Sequence, residues 1–197
     1  SSRKIRLHVS AGTSPVGGFN GSGTGSRAIL GLSGYPQSAL SSFVGVTFDA
    51  TSNSGSEKIS VQLLVDLDCN GTQPRVFVAS SDSLSPGSSQ SNGSTRFSAR
   101  LTDSVWQVNG AAIMKPSNPA VELVGDASSA PVALDEFMQD YPNACIVNAA
   151  SNDDALPKNL PTAGVLLVLG LDSTSTEQES DVTRMTVKTD IHEGWAQ

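Results

Sequence analysis

Asp66, Asp68, Asn70 and Gly71 stand in the order D-x-D-x-N-G. Hard oxygen donors at alternate positions suit a calcium ion, and such a run opens a calcium-binding loop. The twelfth position, where a bidentate glutamate belongs, is Phe77. Asn-Gly also takes positive φ readily, so the same residues read as a hairpin turn. The turn is the simpler account. A structural calcium on Asp66, Asp68 and Asn70 stands beside it as the alternative.

Other catalytic constellations are poorly represented. The acidic pairs Asp153-Asp154 and Asp135-Glu136 are sequence neighbours, and neighbours do not face each other across a glycosidic bond. A Ser-His-Asp triad needs a placed histidine. The chain has His8, on a face with Lys4 and Arg6 that reads as plain solvated surface, and His192, in a polar tail over residues 190–195. Neither a G-x-S-x-G elbow nor a phosphate-cradling glycine loop occurs. The balance therefore leans away from an enzyme. Sugar binding asks for exposed aromatic rings flanked by amides and carboxylates. Trp106 with Asp103, Gln107 and Asn109 is the best local cluster, and Tyr35 is a further candidate. The simpler account of Trp106 is core filling. Tyr141 is expected to pack at a helix end.

Cys69 and Cys145 can form one disulfide, conditional on secretion. Asn20, Asn70 and Asn92 each begin an Asn-Gly-Ser/Thr sequon. With 10 Asn, 31 Ser and 13 Thr in 197 residues, about two sequons arise by chance, so they mark turns first and glycan acceptors only in a eukaryotic secretory setting.

The elements that must position these residues are strands. Residues 4–9 alternate, with Ile5, Leu7 and Val9 on one face. Residues 27–32 form a short strand and 43–49 another. Ile59, Val61, Leu63, Val65 and Leu67 alternate with Ser60, Gln62, Asp66 and Asp68. The turn at 68–71 returns the chain through 75–80, with Val76 and Val78 expected inward. Strands follow at 95–101, 105–108 and 144–147. Residues 111–130, broken by Pro116 and Pro119, read as irregular. Residues 134–141 form the one helix, with Asp135 and Glu136 complementing its N-terminal dipole and Pro142 ending it. Residues 165–171 are continuously apolar, which predicts a central strand covered on both faces. Residues 182–189 alternate again, Met185 and Val187 inward. Short strands separated by turns and loops give an all-β fold, an antiparallel β-sandwich or jelly roll with one short helix, as a single domain over 1–197. Residues 11–26, rich in Gly and Ser, read as an arm or long loop.

Composition narrows the setting. Net charge is −7 and only 16% of residues are charged, so a nucleic-acid backbone is a poor partner. No apolar run approaches a membrane span, and no signal- or transit-peptide pattern is expected. Hydroxyl-rich, charge-poor chains of this kind are common among secreted β proteins.

Three segments, in order, carry a resemblance: the strand and acidic turn Val61-Gln62-Leu63-Leu64-Val65-Asp66-Leu67-Asp68-Cys69-Asn70-Gly71; the helix-to-strand run Leu134-Asp135-Glu136-Phe137-Met138-Gln139-Asp140-Tyr141-Pro142-Asn143-Ala144; and the closing Val182-Thr183-Arg184-Met185-Thr186-Val187. Together they resemble secreted bacterial and fungal jelly-roll domains of the carbohydrate-binding-module type. Those domains usually close on Ile-Asp-Asp-Val-Thr-Val, and the acidic pair is missing here. The resemblance spans about the last two-thirds of the chain. It implies a secreted jelly roll, a structural calcium and a polysaccharide or glycan partner. The first reading is thus a secreted, non-catalytic glycan-binding module. The second is a self-associating structural subunit of an extracellular or viral assembly, a filament or coat. A polysaccharide lyase or hydrolase with dispersed acids is the third.

Overall fold

The computed structural model describes residues 4–10, 28–32, 37–54, 59–71, 75–80, 84, 87, 89–108, 113–124, 130–148, 163–170, 177–190 and 193–196. The arm at 11–26, Asn20, Tyr35, Asn109 and His192 lie outside them. In chain order the elements are β1 (Ile5–Val9), β2 (Ala28–Leu32), β3 (Ser38–Ala39), a 3-10 turn (Leu40–Ser42), β4 (Phe43–Ser54), β5 (Ser60–Asp66), β6 (Arg75–Ser80), β7 (Thr95–Arg100) and β8 (Gln107–Val108). They continue with β9 (Ile113–Lys115), β10 (Asn118–Val124), α1 (Leu134–Asp140), β11 (Cys145–Ile146), β12 (Val165–Leu169), β13 (Gln178–Thr189) and β14 (Glu193–Ala196).

Two antiparallel sheets pack into a β-sandwich. The first runs β1-β13-β4-β7, with β14 also on β13. The second runs β2-β12-β5, with β6 on the other side of β5, then β8; β11 and β3 extend it beyond the end of β12. The chain crosses between sheets repeatedly: β4 lies in the first, β5 and β6 in the second, β7 in the first again. Alternation decides what each strand gives to the space between. Val46 and Phe48 of β4, Leu7 and Val9 of β1, and Met185 and Val187 of β13 meet Val61, Leu63 and Val65 of β5 and Val165 and Leu167 of β12 in one core. The helix α1 adds Leu134 and Phe137, and Phe137 stacks edge-on against Phe77 at 4.8 Å.

β12 is buried along its whole length, as its continuous apolar run requires. Its odd residues enter the shared core, while Leu166 and Val168 face outward into a second apolar cluster with Leu64, Val76 and Ala163. Here the alternating pattern of β5 misleads. Ser60, Gln62 and Asp66 look solvent-facing by sequence, yet all are fully buried. The inward assignment of Val76 and Val78 is also corrected. Leu63 pairs with Phe77 and Leu64 with Val76, and cross-strand partners share a face. So Phe77 and Ala79 enter the core, while Val76 and Val78 join the outer cluster.

Two further segments differ from expectation. Residues 113–124, within a stretch that reads as irregular, form the β9–β10 hairpin. Proline is tolerated because Pro116 sits in the turn and Pro119 lies on a strand with an open edge. Residues 193–196, in what reads as a polar tail, pair with β13 as β14, Trp195 opposite Thr186 and Gly194 opposite Val187.

Candidate functional site

The acidic turn is built around Asp66, the last residue of β5. Its Oδ1 accepts a hydrogen bond from the Asp68 amide at 3.1 Å, and its Oδ2 accepts one from the Gly71 amide at 2.7 Å. Cys69 (φ 54°) and Gly71 (φ 84°) take the left-handed conformations that reverse the chain. Cys69 and Cys145 form a disulfide, which ties the turn to β11, itself paired to the end of β5. Both Asp66 oxygens are therefore engaged by the turn's own amides, while Asp68 and Asn70 are exposed. A cation on Asp66, Asp68 and Asn70 would have to compete with those amides. Phe77, at the position of the missing glutamate, lies in the core.

Of the two readings of Trp106, core filling and sugar stacking, the structure has the first. Trp106 is fully buried. It packs edge-on against Phe43 at 6.0 Å, and its indole Nε1 donates to the Arg100 carbonyl at 2.8 Å. Trp106 stands just before β8, and the two backbone hydrogen bonds it exchanges with Val132 hold its ring in the core. Asp103 is half-buried and its carboxylate accepts the Arg100 amide. Gln107 is half-buried on β8. Tyr141 stacks on Phe137 at 4.9 Å and its hydroxyl donates to the Met114 carbonyl. Burial raises its pKa above the ordinary phenol value, with Asp140 adding to the effect. Of the sequon asparagines, Asn70 and Asn92 are exposed, and the Asn92 side chain accepts hydrogen bonds from the Ser94 amide and hydroxyl.

What sequence reading missed is a charge ladder on the outer face of the first sheet. Just before β1 and along it, the residues alternating with the core positions are Lys4, Arg6 and His8; opposite them on β13 and just before it are Asp181, Glu179 and Glu177. The register aligns Arg6 with Asp181 and His8 with Glu179. Lys4 Nζ reaches Asp181 at 2.7 Å, and Arg6 makes two hydrogen bonds to the same carboxylate at 2.9 and 3.3 Å. Arg6 Nη1 lies 3.3 Å from Glu179, and His8 Nε2 lies 3.0 Å from Glu177 Oε1. The hydrogen bonds from Arg6 and then Lys4 hold the Asp181 carboxyl far below the usual carboxylate range. The Asp181 side chain is only 8% exposed, so its charge is well shielded from water. A second rung lies two strands away. Arg96 on β7 makes paired hydrogen bonds of 2.7 and 2.9 Å to Asp49 on β4. The basic half of the ladder is visible in sequence as Lys4, Arg6 and His8. Its acidic half lies some 170 residues later, and only the β1–β13 pairing joins them.

The second exposed feature is the β9–β10 hairpin. Its base is anchored by buried Ile113, Leu123 and Val124, whereas Asn118–Glu122 are exposed. Met114 and Val121 are 40% and 41% exposed and, together with Ile5, are the most exposed of the larger apolar side chains among the described residues. Among the described residues β9 and β10 pair only with each other, and no helix is long and apolar enough to cross a membrane.

No protein-family model matches the chain, and no curated protein matches it.

Proposed function

We propose that the chain is a structural subunit that assembles with copies of itself into an extracellular or viral filament or coat. The observation that carries this reading is β10. It is an exposed strand with one edge unpaired among the described residues, flanked by the apolar side chains of Met114 and Val121. An exposed edge offers a row of amides and carbonyls to another strand, and proteins that stay monomeric blunt such edges with charge, proline or bulges; β10 has Pro119 near its start and register shifts along its pairing with β9, but little charge. Residues 113–124 carry one lysine, Lys115, and one glutamate, Glu122. The hairpin is thus neutral in a chain of net charge −7, and a second copy meets no local repulsion there. Antiparallel pairing of β10 with β10 of a second copy gives an isologous contact that closes as a dimer, and a filament or coat grows from that dimer through a second, different contact. The low charge content and the disulfide fit a setting outside the cytosol.

The glycan-binding reading rests on less, because the ring of Trp106 is not free to stack on a sugar. Its remaining support is the half-buried Asp103 and Gln107 and the resemblance noted above.

Size-exclusion chromatography with light scattering over a concentration series tests the proposal. Concentration-dependent dimers or larger polymers are expected, and Val121→Lys should abolish them while leaving the melting temperature within about 2 °C, since exposed substitutions change stability little. A chain that stays monomeric at every concentration, or a Val121→Lys variant that assembles as the parent does, overturns the reading. Retention of a monomer on one polysaccharide of a glycan array replaces it with glycan binding.

A further inference from the structure

We infer that His8, Glu177 and Glu179 form a binding site for a divalent transition cation of the zinc type, bridging β1 and β13. The inference stands on different residues from the assembly reading and does not depend on it.

The backbone brings the three donors together. His8 is directly opposite Glu179 in the β1–β13 register. Glu177 lies just before β13, and its carboxylate oxygen meets the His8 ring on the same face as Glu179. One ligand atom from each of the three lies within 4.8 Å of the others. The closest approach, His8 Nε2 to Glu177 Oε1, is 3.0 Å. A zinc ion with bonds of about 2.1 Å holds tetrahedral ligands about 3.4 Å apart. Drawing a separation of up to 4.8 Å in to that value takes about 1.4 Å, shared among side chains that are exposed or half-buried.

Charge favours a dication at this end of the ladder. Lys4 and Arg6 both direct hydrogen bonds to Asp181. Arg6 approaches Glu179 at 3.3 Å while keeping its hydrogen bonds to Asp181. Lys4 and Arg6 thus carry two positive charges against the three carboxylates of Asp181, Glu179 and Glu177, and the excess negative charge lies at the Glu177 end, where a cation is attracted. The ligand set selects the metal: one imidazole with two carboxylates suits zinc and its transition-metal neighbours, whereas calcium and magnesium prefer all-oxygen shells. Three protein ligands leave the remaining position to water. The bound ion would fasten the end of β1 to the start of β13, the place where the chain leaves the first strand.

Isothermal titration of the whole, untagged chain with zinc chloride at neutral pH tests the site. One equivalent is expected to bind, with magnesium and calcium failing to compete. His8→Ala should abolish that binding and Glu177→Gln should weaken it at least tenfold, while His192→Ala, which removes the chain's other histidine, should leave it unchanged. Glu177 is exposed and outside the strand, so Glu177→Gln keeps its fold and remains informative if His8→Ala does not; circular dichroism checks both. Zinc at about a hundred times its dissociation constant should raise the melting temperature by about 5 °C or more in the parent, and the shift should shrink in Glu177→Gln. Failure to bind one equivalent, or equal binding by the parent, His8→Ala and Glu177→Gln, overturns the site.

Discussion

The two sheets of the sandwich share one core but solve their outer faces in opposite ways. The outer face of the first sheet is a lattice of ion pairs and hydroxyls: Lys4 and Arg6 on Asp181, Arg96 on Asp49, Thr47 beside Ser98. The outer face of the second carries Leu64, Val76, Leu166 and Val168, all buried, with Ile29, Val78 and Val147 packed around them. Polar groups on that second face are folded in with the rest. Ser60 donates to the Val168 carbonyl and receives the Gln62 amide, while Gln62 Oε1 has no partner among the described residues. Neighbouring strands of the first sheet are thus joined side chain to side chain by charges that water and salt can weaken. In the second the corresponding links are apolar contacts and a covalent bond. The contrast teaches that the period-2 pattern identifies a strand but leaves open how its polar face is used. On β1 that face is a partner for another strand's charges; on β5 it is buried.

The sharpest break in the comparison is the covalent one. Cys69 and Cys145 are 76 residues apart in sequence, and both sit at the end of the second sheet. Replacing both by serine releases the turn after β5 from β11 and frees a long loop in the unfolded chain. The chain-entropy model puts the loss at about 4 kcal/mol. Urea or guanidinium unfolding of the parent and the double variant measures it. A loss below about 1 kcal/mol would mean that apolar contacts alone hold this end of the second sheet.

Next in size is a test of whether the second outer face is a real core. Leu166 and Leu167 are adjacent on β12, one in each apolar cluster, and both are fully buried. Leu166→Ala and Leu167→Ala should each cost about 3 kcal/mol, the usual range for a buried leucine. Equal losses make the outer cluster energetically equivalent to the space between the sheets. A Leu166→Ala loss under about 1 kcal/mol would make it a weakly covered face.

Much of this architecture is legible in the sequence, and the parts that are not have identifiable causes. The β5–β6 hairpin, the helix and the doubly covered β12 follow from local pattern: strict alternation around Asn70-Gly71, an acidic first turn before Leu134, an unbroken apolar run at Val165. The cysteine pairing was one open option, and the β11–β5 pairing realises it. The hairpin at 113–124 was hidden because Pro116 and Pro119 count against a strand by propensity, and only tertiary placement at an open edge makes them acceptable. Trp106 illustrates the same limit. Its neighbours Asp103 and Gln107 offer a surface cluster beside the core-filling reading, and only the bridge to Val132 and the contact with Phe43 decide for the core. The acidic half of the ladder was out of reach because its sequence separation from Lys4, Arg6 and His8 exceeds any local pattern. The inward assignment of Val76 and Val78 failed for a smaller reason, an error of one residue in register, which exchanges the two faces of a strand.

The smallest expected effect bears on the charged face, and it separates the two faces by their response to solution conditions. Asp181→Asn removes the carboxylate shared by Lys4 and Arg6. Those two partners are half exposed, at 54% and 50%, so the loss at neutral pH is about 1 kcal/mol, the upper range for ion pairs in contact with water. Its pH dependence has a definite sign. The folded carboxyl is held well below its unfolded value by Arg6 and Lys4, so the folded state binds fewer protons than the unfolded state in the window between the two. The stabilisation is therefore complete above the unfolded value of about 4 and is lost progressively as the pH falls below it. Unfolding curves of the parent and Asp181→Asn should be separated at pH 7 and converge in acid. Raising the salt to about 1 M, where the screening length falls to about 3 Å, should narrow the gap at neutral pH. The Leu166→Ala gap should hold across both changes, since burial of apolar surface does not titrate. A gap for Asp181→Asn that is equally insensitive to acid and salt would mean that the first sheet, too, is held chiefly by packing, and that the ion pairs align β1 on β13 without strengthening it.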